Sequence, residues 1–299
     1  MSRPTFPWIA WAGSRTPTRR TFRAGLPRPW RLRAAGLALV VALAAGLPGQ
    51  SATAAVGLTA HRAVYDLGLG ELRGDSRVVR AWGRLEFEWA DVCDGWAVSQ
   101  RTHLAISSED GGEIESIWSV KSWESKDGLR YRFYIRRYFP NGYSEVTAGS
   151  ARLDGPGLGG EAIYSDPEER RVQLPAGTLF PTMHSLELMA LAEAGRFPVW
   201  RVLFDGFDVE DLVGVNATLV QAVPPGQAAA IESELLAGQP SWRMRLAFFP
   251  LNLRTPEPDR EQGFRIFANG VVDELTLDYG DFTIDGTLED LSALPDPGC

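Results

Sequence analysis

From residue 58 onward, apolar and polar side chains alternate in short runs separated by turn residues. That is the pattern of strands with one buried face. Ala63, Tyr65 and Leu67 mark a first strand over residues 61–67, and the polar stretch 70–77 breaks it. Leu85, Phe87 and Trp89 then alternate with Arg84, Glu86 and Glu88. Residues 96–106 and 114–123 continue the pattern, and 129–136 has a strict apolar face at 129, 131, 133 and 135. Asn141-Gly142 predicts a turn into 143–149, with shorter strands near 151–153 and 161–164.

One stretch breaks the two-residue period. Met183, Leu186, Leu188, Ala190, Leu191 and Ala192 recur at helical spacing. Pro181 opens this helix, Thr182 is the expected N-cap, and Gly195 supplies the left-handed residue after its end. Strands resume at 200–205 and 214–223, and then follow Trp242, Met244, Leu246 and Phe248. Phe264, Ile266 and Ala268 lead into Asn269-Gly270, a hairpin signal, before Leu275, Leu277, Tyr279, Phe282, Ile284 and Leu288. Residues 222–239, rich in Ala, Pro and Gly, read as a loop or insertion. The fold class is therefore mainly β: antiparallel strands curled into a spiral or open barrel, with one main helix packed against it.

Cys93-Asp94-Gly95-Trp96 sits between two alternating runs, and Asp-Gly there predicts a hairpin whose turn residues tolerate positive φ. The only other cysteine is Cys299. In an oxidising compartment two cysteines form at most one bond. The alternatives are two free thiols or a metal site, for which only the scattered His61, His103 and His184 offer imidazoles.

The first 54 residues differ from the rest. They carry eight arginines and no acidic residue, and an apolar run at 34–47 leads to Ala52-Thr53-Ala54. This order predicts a cleavable signal peptide over 1–54 and a single domain over 55–299. The apolar run is shorter than the roughly 20 residues that span a bilayer. Removing eight of the 30 basic residues leaves 22 against 38 acidic ones, a net charge of −16. Nucleic acid is thereby excluded as an expected partner.

Motifs for catalysis are sparse. No G-x-S-x-G, H-E-x-x-H or P-loop occurs, and the glycine-rich 155–160 reads as a turn. Glu86 and Glu88 share a strand face with Arg84 and read as solvated. The acidic run 205–211 lacks the spacing of a calcium loop. His184 is expected to help fix the helix start. The tryptophans form a surplus: Trp89, Trp118 and Trp123 are candidate linings of a groove on the curved sheet, set against the simpler reading that such rings fill the core. The chain is expected to be non-enzymatic, with no cofactor and no metal.

Five blocks carry a family likeness: residues 61–65, Gly83-Arg84-Leu85 with 93–96, 179–184, Phe204-Asp205-Gly206, and Tyr279-Gly280-Asp281-Phe282. Together they resemble the EipB family of cell-envelope integrity proteins. The resemblance implies a single β-rich spiral and a disulfide whose positions here are Cys93 and Cys299. It implies a periplasmic role in envelope integrity and no catalytic residues. It points to an envelope protein partner, such as a tetratricopeptide-repeat protein. The architecture is also similar to that of lipoprotein carriers, so a lipid or lipoprotein carrier is the alternative, and a peptidoglycan hydrolase the third reading. Residues 222–239 match the family least.

Overall fold

The computed structural model describes residues 57–139, 142–207, 212–251 and 257–299. The predicted signal peptide, the Asn141 half of one predicted turn and positions 208–211 of the acidic run lie outside the described residues.

Eight strands run in sequence: β1 (His61–Leu72), β2 (Val78–Asp91), β3 (Gly95–Ser108), β4 (Glu113–Ser125), β5 (Arg130–Tyr138), β6 (Ser144–Leu153), β7 (Gly160–Asp166) and β8 (Arg170–Leu174). The short β9 (Thr178–Leu179) and helix α1 (Pro181–Glu193) follow. The chain then returns through β10 (Val199–Leu203), β11 (Val213–Val223), β12 (Ser241–Pro250), β13 (Arg260–Phe267), β14 (Val272–Asp278) and β15 (Phe282–Ala293).

All fifteen strands form one sheet, ordered β8 through β1, then β15 back to β9. Nearly every hydrogen-bonded pair joins consecutive strands. The exception is β1 with β15, which links the two halves antiparallel from His61↔Ala293 to Leu72↔Phe282. Only β9–β10 is parallel, because α1 crosses between them. The end strands β8 and β9 are chain neighbours that do not pair, so the barrel-like sheet is nearly closed, with one seam.

The alternation in sequence becomes an inside and an outside. In β5, Tyr131, Phe133 and Ile135 are buried, while Arg130, Arg132 and Tyr134 are exposed. Three apolar clusters fill the inside. One spans β1, β14 and β15 through Tyr65, Leu67, Leu275, Ile284 and Leu288. A second packs Leu188, Met189 and Ala192 of α1 on Val215, Ala217, Met244, Leu246 and Phe248. The third is aromatic: the Tyr131 ring stacks on Phe180 at 5.2 Å, with Phe133, Tyr164 and Phe204 around it.

Several boundaries depart from expectation. β1 continues to Leu72, into the polar stretch, because its pairing with β15 extends to Leu72↔Phe282, past the end of its pairing with β2 at Gly68↔Trp82. The hairpin at 93–96 forms, but its left-handed residue is Cys93, with φ 67°, and neither Asp94 nor Gly95. Gly95 is needed for space instead: a Cβ there would lie 2.4 Å from Trp123 Nε1 and 2.5 Å from the Glu124 carbonyl oxygen.

Candidate functional site

The helix start is built differently from its expected form. Phe180, and not Thr182, is the N-cap, and no side chain of its own segment caps the helix. Pro181 at the first helical position has no N–H to satisfy. The next two backbone N–H groups, of Thr182 and Met183, donate at 2.7 and 2.9 Å to the carboxylate of Glu124 on β4. Glu124 thus performs from 58 residues away what an Asp or Ser N-cap performs locally. Burial nonetheless pushes its pKa up to about 7, against the lowering effect of these two hydrogen bonds. The other end is conventional: Gly195 has φ 64°, its N–H donates to Ala192 O, and the Arg196 N–H donates to Leu191 O.

His184 does not fix the helix start. Its side chain is buried, its Nε2 has no hydrogen-bond partner, and burial lowers its pKa to about 4. His61 is also buried, with Nδ1 2.7 Å from Thr59 O. Both imidazoles are enclosed among core side chains.

The corner at Cys93 is joined to the tail. Cys93 and Cys299 form a disulfide with Cα atoms 5.9 Å apart, across a sequence separation of 206. The tail reaches it past the β1 end, where the Leu294 N–H donates to Ala60 O. Around the corner, Lys126 Nζ donates to Asp91 at 2.6 Å and lies 3.2 Å over the Trp96 ring. Trp123 Nε1 donates to Asp94 at 3.3 Å.

Part of the segment read as a loop is packed inward. Arg265 and Asp273 form an ion pair at 2% and 0% side-chain exposure. Arg265 also donates to Ala228 O, and Asp273 accepts from the Ala230 N–H. Asn269 Nδ2 holds Leu235 O, and the neighbouring Leu236 is buried among Tyr65, Phe267 and Val271. Composition alone conceals this, since the signal lies in two charged residues on other strands.

The three candidate groove tryptophans are not brought together. Trp89 is buried against His61, Phe87 and Trp96. Trp118 packs against both the first and third clusters. Trp123 lies on the outer face, opposite Arg132 of β5. There it joins a strip that sequence reading missed. Arg130 and Arg132 lie 5.5 and 5.1 Å from the Trp123 ring, and Arg136 lies 5.5 and 5.9 Å from Tyr134 and Tyr138. A separate hollow of about 530 Å³ beside β6–β8 is lined by Ser150, Arg152, Asp154, Glu161 and Gln173 together with Ile163 and Leu174. Among the described residues, no cluster of three or more His, Cys, Asp or Glu side chains could hold a metal ion.

Comparison with known proteins assigns the family. The EipB-like family model matches residues 52–295. The chain belongs to the EipB-like family. It is 29% identical over 274 residues to the cell envelope integrity protein EipB of Brucella abortus (strain 2308), covering 86% of this chain and 92% of that one. It is also similar to a crystal structure from Brucella abortus described as a β-barrel-like protein of a domain of unknown function. There the TM-score is 0.71 at 26% identity, over 81% of this chain and all of the other. The five sequence blocks of the EipB-like likeness fall on β1, on the β2–β3 hairpin and strand, at the α1 start, after β10 and at the β14–β15 turn.

Proposed function

We propose that this EipB-like protein is a non-catalytic periplasmic component that supports cell-envelope integrity by binding an envelope protein partner. The observation that carries the reading is the filled interior. The inner face of the sheet is occupied by the chain's own side chains, from Tyr65 and Ile284 to α1 and the inward-packed Leu236. The hollow beside β6–β8 has a mainly polar lining, a poor match for an acyl chain. Recognition is therefore assigned to the outside of the sheet. The name of the Brucella relative supports the envelope role. The Cys93–Cys299 bond and the Arg-rich leader followed by an apolar run support export to an oxidising compartment.

In-cell crosslinking followed by purification under denaturing conditions tests the reading. A reproducible adduct with one envelope protein is expected; bare protein at every crosslinking position refutes it. The carrier alternative predicts a different result, a lipid retained in native mass spectrometry of the exported protein.

A further inference from the structure

The outer face of β3–β5 is unusual in its charge. Strand register places Arg101, Lys121, Arg132 and Arg136 on it, with Trp123, Tyr134 and Tyr138 between them: Arg101 faces Ser119, Lys121 faces Tyr134, Trp123 faces Arg132 and Ser119 faces Arg136. Elsewhere arginines hold carboxylates, as Arg73, Arg171, Arg201, Arg243, Arg245 and Arg265 do. Among the described residues, none of Arg101, Lys121, Arg132 or Arg136 has a carboxylate within 4 Å. The Arg132 guanidinium lies over the Trp123 ring, the Arg136 guanidinium lies by the Tyr134 ring and donates to its hydroxyl, and Tyr134 and Tyr138 stay 36% and 40% exposed. A basic and aromatic strip on a chain with net charge −8 is a local reversal of sign.

We propose that this strip is the docking face for an extended acidic segment of a partner protein. The inference rests on the partner-binding reading and names its surface and chemistry. Three features favour a polypeptide. Alternate residues on β5 repeat roughly every 6.8 Å, and so do alternate side chains of an extended peptide. Arginine forks match carboxylates in a two-pronged geometry, and exposed rings between them accept the apolar parts of such a segment. The strip is also narrow. Glu86 and Glu88 on β2 border it, facing Arg101 and Ser99, and Glu115 pairs with His103 near one end. A thin chain avoids these carboxylates, whereas a broad anionic membrane would press against them. Since β5 is hydrogen-bonded on both sides, to β4 and β6, recognition here goes through side chains and not through strand addition.

The test measures fluorescence anisotropy of a labelled ten-residue peptide of alternating glutamate and threonine with the purified exported protein. Binding should weaken as salt rises, and should fall at least tenfold in Arg132→Glu/Arg136→Glu. Arg132→Gln/Arg136→Gln, a gentler change, should weaken it less, with circular dichroism and melting temperature confirming that both variants fold. Arg196→Glu, beyond the helix end, should leave it unchanged. Equal affinity in wild type and both strip variants overturns the proposal, as does equal affinity for the matching glutamine–threonine peptide. Phosphatidylglycerol vesicles bound more tightly than the peptide, with the same dependence on Arg132 and Arg136, assign the strip to a membrane and also overturn it. A photoreactive residue at position 134 separates this claim from the broader one. A partner captured from other faces but never from 134, with peptide binding indifferent to the strip, sinks the surface and spares the partner-binding reading. Peptide binding lost with the strip, but no adduct in cells from any position, supports the surface and sinks that reading.

Discussion

Replacing Glu124 with Gln should change how stability depends on pH, and the size of the change follows from the geometry. The Glu124 pKa rises from 4.5 to about 7 on folding, because burial disfavours the carboxylate more than the Thr182 and Met183 N–H groups favour it. Between those values the folded state holds a proton that the unfolded chain has released. The stabilising contribution is fully present below pH 4.5 and is lost as pH rises through about 7. At about 1.36 kcal/mol per unit, the loss is about 3 kcal/mol. His184 works in the opposite direction. Its pKa falls from 6.5 to about 4 on folding, so its contribution is present above 6.5 and is lost as pH falls through 4, again by about 3 kcal/mol. The two nearly offset each other in the wild type, while Glu124→Gln removes one of them. Urea denaturation at about pH 4.5 and about pH 7.5 gives the measurement. The wild-type advantage over Glu124→Gln should shrink by about 3 kcal/mol between them, equivalent to roughly 6–12 °C in melting temperature for a domain of this size. The variant alone should become more stable as pH rises. A gap between the two proteins that stays constant with pH refutes the assignment of a buried, proton-binding cap.

Cys93→Ser should lower stability by about 5 kcal/mol at most, since the bond spans a sequence separation of 206; unchanged denaturation midpoints with and without reductant would contradict this. Arg265→Ala should cost roughly 3–5 kcal/mol, because it leaves the buried Asp273 without its ion-pair partner. It should also release the chain near Ala228, giving new protease cleavage there before global unfolding; cleavage at the wild-type rate would mean the ion pair does not hold the segment. Two strand glycines should respond oppositely to alanine. Gly83→Ala drives a Cβ to 2.1 Å from the His103 carbonyl oxygen and should cost about 1–3 kcal/mol, whereas Gly263→Ala meets nothing nearer than 3.7 Å and should be neutral or slightly stabilising. Equal urea midpoints for the two variants would refute the packing argument.

Much of the sheet was legible in sequence because a half-buried strand must alternate, as β5 does at residues 130–136. The helix was legible because its period differs and Pro181 and Gly195 punctuate it. Other features depended on contacts that no local window contains. The helix cap comes from Glu124, which on β4 reads as one more polar strand residue. The inward packing of the segment up to Leu236 involves Arg265, Asp273 and Asn269, which hold Ala228, Ala230 and Leu235 from β13, β14 and the turn between them. β8 and β9 are too short to carry a periodic signal. The strip on β3–β5 was hidden for another reason: its arginines are regular outward positions, and only the missing carboxylate neighbours distinguish them.

The pairing of β1 with β15 also sets an order of events. β1 can engage β2 as soon as that strand exists, but its other edge stays bare until residue 282 has been made. That wait lasts while β3 to β14 enter the compartment in which the chain folds. Throughout it, a strand rich in apolar side chains presents open backbone groups to any other nascent chain. Assembly of this molecule is thus gated by the arrival of its own last strand. Cys299 lies beyond β15, so its bond to Cys93 can form no earlier.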